Sequence, residues 1–138
     1  MTHRLLNILL VEDDDVDVMN VQRAFRKNDI ANPLFVAANG LEALQMLRGN
    51  ALPRERRLVL LDLNMPRMNG IEFLHALRAD PELHPTPVVV LSTSNDDRDR
   101  VNAYNLNVAG YILKPVTFQN FCDAMSTLNK YWSLVELP

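Results

Sequence analysis

Four apolar stretches of this chain each run into a group able to hold a metal ion or a phosphate. Ile8-Leu9-Leu10-Val11 runs into Glu12-Asp13, and Leu58-Val59-Leu60-Leu61 into Asp62. Val88-Val89-Val90-Leu91 runs into Ser92, and Tyr111-Ile112-Leu113 into Lys114. A run apolar at successive positions reads as a strand covered on both faces, the habit of parallel sheets. Groups at the carboxyl ends of such strands share the crevice where open α/β sheets bind ligands. Glu12, Asp13 and Asp62 would crowd together there, and a cation relieves the repulsion between them. An all-oxygen ligand set with room for water favours a hard ion, Mg²⁺. With a hydroxyl and an ammonium beside it, the set suits phosphoryl transfer, where metal and lysine neutralise phosphoryl oxygens. The chain has four glycines and no glycine-rich phosphate loop, so ATP is not the expected ligand. What is left for Asp62 is a nucleophile's role, accepting a phosphoryl group from elsewhere.

Each group also has an ordinary reading. A single Asp can be a turn residue, strand-end hydroxyls are common, and a lone lysine is usually solvated. The acids Asp13-Asp14-Asp15 and Asp17 precede a helix, where carboxylates cap the first turn and oppose the helix dipole. That role suits Asp15 and Asp14 better than Glu12 and Asp13, which follow directly on a buried run. The coincidence of all four strand ends carries the argument.

The elements that would position these groups alternate along the chain. Strands are read at Leu5 to Val11, Leu34 to Ala38, Leu58 to Asp62, Pro87 to Ser92 and Gly110 to Leu113. Helices are read at Val16 to Lys27, Gly40 to Arg48, Gly70 to Ala79 and Asp96 to Leu106. A last helix, capped by Thr117, carries the apolar stripe Phe121, Met125, Leu128 and Trp132. Gly49 to Arg57 reads as a polar connection. Five βα units with right-handed crossovers imply a doubly wound five-stranded parallel sheet with helices on both faces. The strand order 2-1-3-4-5, that of flavodoxin and CheY, is the expectation.

The remaining composition excludes more than it assigns. Its 138 residues fit one domain with a continuous core, 48% hydrophobic and 22% charged. A formal charge of −3 gives no footprint for nucleic acid or an anionic membrane. Cys122 is the one cysteine, so no intrachain disulfide forms, and a reducing cytoplasm is the expected location. No run approaches the roughly 20 apolar residues of a membrane helix. His3, His75 and His84 read as surface residues.

From about residue 5 to residue 131 the chain resembles the receiver domains of two-component response regulators, CheY-like in form. The resemblance implies that Asp62 is the phosphoacceptor and Asp13 a metal-ligating acid, with Glu12 supporting the metal through water. It implies that the backbone carbonyl of Asn64 completes a Mg²⁺ site and that Lys114 reaches the phosphoryl group. Ser92 matches the switch hydroxyl and Tyr111 the switch aromatic. The Lys114-Pro115 bond would be cis, as in much of the family. Glu12 and Ser92 depart mildly from the family's commoner Asp and Thr, and Gly49 to Arg57 is longer than in minimal receivers. Leu61-Asp62-Leu63-Asn64-Met65-Pro66, Val88 to Ser94 and the Tyr131-Trp132…Leu137-Pro138 ending resemble the stand-alone receivers that serve bacterial phytochromes. That implies a sensor histidine kinase of phytochrome type as partner. It also implies no enzyme beyond the chain's own phosphorylation and dephosphorylation.

No output domain is expected, so residues 1–131 form the receiver and 132–138 an apolar tail. Trp132, Leu134, Val135 and Leu137 are expected to form a dimerisation arm packing on a second subunit, an isologous homodimer. Folding back onto its own helix is the simpler alternative. Two other functions stay open at this point. One is a small Mg²⁺-dependent phosphohydrolase, since Asp62-Leu63-Asn64 loosely resembles an Asp-x-Asp nucleophile motif. The other is a degenerate receiver used only as an interaction scaffold.

Overall fold

A computed structural model describes residues 5–63, 65, 68–92, 97–114, 118–132 and 134. Five strands, β1 (Asn7–Val11), β2 (Leu34–Ala37), β3 (Arg57–Asp62), β4 (Val88–Ser92) and β5 (Gly110–Leu113), form one parallel sheet in the order β2-β1-β3-β4-β5. The connections are α1 (Asp15–Lys27), α2 (Gly40–Arg48), α3 (Gly70–Ala79) and α4 (Asp97–Asn105), with α5 (Phe118–Trp132) last. This is the doubly wound order expected from the alternating runs.

Strand side chains alternate between faces, so the unbroken apolar runs feed two separate cores. One core joins Leu9, Val59, Leu61 and Val90 to Leu44 and Leu47 of α2, Phe73 and Leu77 of α3, and Ala103 of α4. The other joins Ile8, Leu10, Leu60 and Leu91 to Val21 and Phe25 of α1 and Met125 and Trp132 of α5. All described residues of β3 and β4 are buried, which explains why neither strand shows a polar alternation.

The helix starts follow from their capping residues. Asp14 is the cap of α1: its side chain accepts from the Val16 and Asp17 amides, while Asp15 sits in the first turn. Asn39 caps α2, and Asn69 with Glu72 forms a capping box on α3. In contrast α4 is polar, with only Ala103 buried among its described side chains, and Val101 and Tyr104 lie exposed.

Three readings change. Strand β1 starts at Asn7, because Leu5 is half exposed while Leu6 is buried and its N–H donates to Asn32 Oδ1. Arg57 belongs to β3 and not to the polar connection; its buried guanidinium donates to the carbonyls of Leu47, Leu52 and Pro53. Trp132, assigned to the tail, is the last residue of α5 and only 3% exposed. It packs in the α1–α5 core, and its indole N–H donates to Asn129 Oδ1 at 3.0 Å. Burying such an aromatic within the chain contributes about 2 kcal/mol, which a free arm would forgo. Trp132 is therefore core, and Leu134, 86% exposed, is the described residue that remains in the tail.

Asn64, Thr93, Ser94, Thr117, Val135, Leu137 and the Lys114-Pro115 bond lie outside the described residues, as does the Phe121 side chain. His75 and His84 are exposed, as expected.

Candidate functional site

The carboxyl ends of β1, β3, β4 and β5 meet on one edge of the sheet. Register fixes this: Val11 pairs with Leu61, Asp62 with Leu91, and Ser92 with Leu113. The Lys114 amide then donates to the Ser92 carbonyl at 2.8 Å, carrying the lysine onto the edge next to the hydroxyl. Glu12 follows β1, its own amide donating to Ala37 at 3.0 Å.

Helix α3 begins directly against the end of β3. The Gly70 amide donates to the Leu63 carbonyl at 2.9 Å. A Cβ on residue 70 would lie 2.6 Å from Leu63 Cα and 2.8 Å from the Asp62 carbonyl oxygen. Glycine is the residue that permits this approach.

Carboxylate oxygens of Glu12, Asp13 and Asp62 all lie within 4.8 Å of one another. Glu12 and Asp62 are buried, at 4% and 5% exposure, while Asp13 is open to solvent. Ser92 is completely buried, and Tyr111 is partly buried against the α2–α3–α4 core. Lys114 Nζ donates to Glu12 Oε2 and Asp17 Oδ2, both at 2.8 Å, and stands 3.9 Å from Asp62 Oδ2. The structure thus brings Glu12, Asp13, Asp62 and Lys114 together, with Ser92 on the adjoining strand end.

Asp17 is the residue that sequence reasoning missed in the pocket. It stood out only as one more acid before α1. Its reach to Lys114 spans 97 positions, and only the completed sheet reveals it.

The electrostatics are unbalanced. Among the described residues, four carboxylates, Glu12, Asp13, Asp17 and Asp62, face the Lys114 ammonium. Burial pushes the Glu12 carboxyl up to about 7; Lys114 pulls it back down, and the nearby Asp62 charge adds to the rise. Burial alone would lower the Lys114 ammonium. Its hydrogen bonds to Asp17 and Glu12, with the charges of Glu12 and Asp62, outweigh that and hold it above the usual lysine range. Three converging oxygen donors, two of them desolvated, fit a hard divalent cation. A buried carboxylate at the edge of a pocket that such a cation would neutralise is also placed to act as a nucleophile.

Comparison with known proteins agrees. Residues 8–126 match the response regulator receiver domain family. A probable methanogenesis regulatory protein, FilR2 of Methanothrix harundinacea (strain 6Ac), is 36% identical over 91% of this chain and 82% of its own length. Response regulator Rcp1 of Synechocystis sp. is 34% identical over 95% of this chain and 92% of its own. Among solved structures, the phosphorylated cyanobacterial phytochrome response regulator RcpA superposes with a TM-score of 0.86 at 33% identity, covering 98% and 99% of the two chains. The Mn²⁺-bound form of Rcp1 superposes at 0.83 with 32% identity, covering 96% and 99%.

Receivers of this family work with histidine kinases in two-component signalling, and they are generally signalling domains, not catalysts. The phosphohydrolase alternative is not favoured. No helix among the described residues is long and apolar enough to cross a membrane. From its sheet order, the acid-rich edge and the match over residues 8–126, the chain belongs to the response regulator receiver domains, and it is CheY-like in fold.

Proposed function

We infer that Asp62 accepts a phosphoryl group from the phosphohistidine of a sensor histidine kinase. The observation that carries this reading is the convergence of buried Glu12 and Asp62 with Asp13 and the Lys114 ammonium. One Asp62 oxygen attacks phosphorus, an O–P bond forms, and the P–N bond of the donor breaks. Its electron pair returns to the imidazole nitrogen, which leaves neutral when the other ring nitrogen carries a proton. Lys114 offers its charge to the phosphoryl oxygens. Asp13, Asp62, the Asn64 backbone carbonyl and, through water, Glu12 would hold Mg²⁺, which when bound neutralises charge on the transferring group. Apart from this self-phosphorylation and its reversal by water, no turnover of an external substrate is assigned to the chain.

Register supports the switch. Val90 pairs with Tyr111 and Ser92 with Leu113, so Ser92 and Tyr111 share the sheet face that α2, α3 and α4 cover. A phosphoryl group on Asp62 draws the Ser92 hydroxyl towards it, and Tyr111 turns inward into the space released. The surface of α4, β5 and α5 changes as a result.

The likeness to RcpA and Rcp1 supports a phytochrome-type kinase as partner, acting in the cytoplasm. Output by a homodimer is supported by the exposed Leu134 and the apolar residues Val135 and Leu137 after it.

Sedimentation with Mg²⁺, before and after beryllofluoride as phosphoryl mimic, tests both parts. Wild type should change mass or shape and Asp62→Asn should not; a response in both overturns the assignment of Asp62. The chain cut after Trp132 should lose the dimer, and an unchanged mass removes the tail from the interface.

A further inference from the structure

Lys114 is held by two acids that differ in how easily they can release it. Glu12 is buried, with 3% of its side chain exposed, whereas Asp17 on the first turn of α1 keeps 38% exposed. Both accept from Nζ at 2.8 Å, while Asp62 Oδ2 stands at 3.9 Å, too far for a hydrogen bond. Two of the three ammonium protons are therefore committed away from the acceptor. A neighbouring acid, Asp15, lies exposed in the same turn and already opposes the helix dipole, so that role alone does not account for Asp17.

The geometry points to Asp17 as a positioning residue that retains Lys114 away from Asp62 and hands it over when a phosphoryl group arrives. This rests on Asp62 being the phosphoacceptor. The exchange runs at Asp17 because of solvation. Abandoning Glu12 would leave a desolvated carboxylate without its cation, a costly state, whereas Asp17 can rehydrate where it stands. A phosphoryl group on Asp62 carries up to two negative charges where the free carboxylate carries one, and brings three acceptor oxygens to compete for the ammonium. Asp17 thus makes the resting pocket slightly harder to load.

The test is beryllofluoride titration at saturating Mg²⁺, together with the ¹³Cε resonance of Lys114, on wild type, Asp17→Asn, Asp15→Asn and Asp62→Asn. Asp17→Asn should bind about two- to five-fold more tightly, the scale of one partly solvated ion pair. Its Lys114 resonance in the free protein should already lie towards the position wild type reaches on binding. Asp15→Asn removes the same charge without touching Lys114 and should match wild type in both readouts.

Unchanged or weaker binding by Asp17→Asn overturns the inference, even if wild type binds and Asp62→Asn does not. Tighter binding with an unmoved Lys114 resonance, or with Asp15→Asn behaving alike, reduces the effect to a diffuse field and also overturns it. Should wild type bind no better than Asp62→Asn, the phosphoacceptor reading falls, and the retention of Lys114 falls with it.

Discussion

Arg57 and Asp62, the first and last residues of β3, are equally buried at 6% and 5% exposure, yet their surroundings are opposite. Around Arg57 the charge is met by carbonyl dipoles. Nε donates to Pro53 at 2.7 Å, Nη1 to Leu47 at 2.9 Å and Nη2 to Leu52 at 3.0 Å. These carbonyls come from the end of α2 and the connection after it, so the guanidinium ties that connection to the sheet. Among the described residues, Asp62 has Glu12 and Asp13, of its own sign, beside it, and shares the Lys114 ammonium with Glu12. A buried charge surrounded by matched dipoles serves stability; one surrounded by like charges stores a demand that a ligand can meet. Among the described residues the amino edge of this sheet is closed and the carboxyl edge open, in keeping with where open α/β sheets bind.

Removing the side chain at the closed end should have the largest effect. Arg57→Met takes the donor from two buried carbonyls, those of Leu47 and Leu52, and from the half-buried one of Pro53, and should cost about 2–4 kcal/mol in urea denaturation. Beryllofluoride affinity of the folded protein should stay the same. A loss under about 1 kcal/mol would mean the carbonyls find water, and the contrast between the two ends would lose half its basis.

The open end should respond to pH in a direction set by Glu12. Its carboxyl is raised from 4.5 to about 7 in the folded chain, so between those values the folded state binds more protons than the unfolded one. Stability from this group is full below pH 4.5 and is lost as pH rises through 7. In chelator, wild type measured against Glu12→Gln should lose on the order of 2 kcal/mol from pH 5 to pH 8. Mg²⁺ should shrink that loss, because the cation takes the place of the proton. A difference that grows with pH would show that Lys114, and not burial, governs Glu12.

The smallest effect is at the acceptor itself. Without metal, Asp62→Asn removes one of the crowded carboxylates and should stabilise the chain by about 1 kcal/mol while abolishing phosphoryl uptake. Destabilisation would mean that the Lys114 contact at 3.9 Å outweighs the repulsion.

Much of this contrast could be read from the sequence, but unevenly. Unbroken runs such as Val59-Leu60-Leu61 and Val88-Val89-Val90 announce doubly covered strands, and the polar residues directly after them mark the open edge. The fold follows because five such runs alternate with helical stripes. Arg57 was illegible because an arginine next to Arg54, Glu55 and Arg56 looks like solvated connection. Only folded backbone supplies the carbonyls that let it enter a strand. Asp17 was illegible for a related reason: its partner is fixed by the register of β5 on β4, which local pattern does not encode. The acids Asp14 and Asp15 differ by one position, within the usual slack of helix ends, so the capping role could fall to either until amide geometry chose Asp14. An apolar residue at a helix end reads alike whether it fills its own core or a partner's, and Trp132 needed the packing of α1 against α5 to decide.

That placement has an optical consequence. Trp132 is the chain's one tryptophan, and α5 runs from the open edge of the sheet back to the closed one, so the indole sits at the far end from Asp62. Its emission should shift far to the red as the core melts. When the pocket fills, a smaller change is expected, because residues 133–138, directly after it, are the segment whose movement it would register.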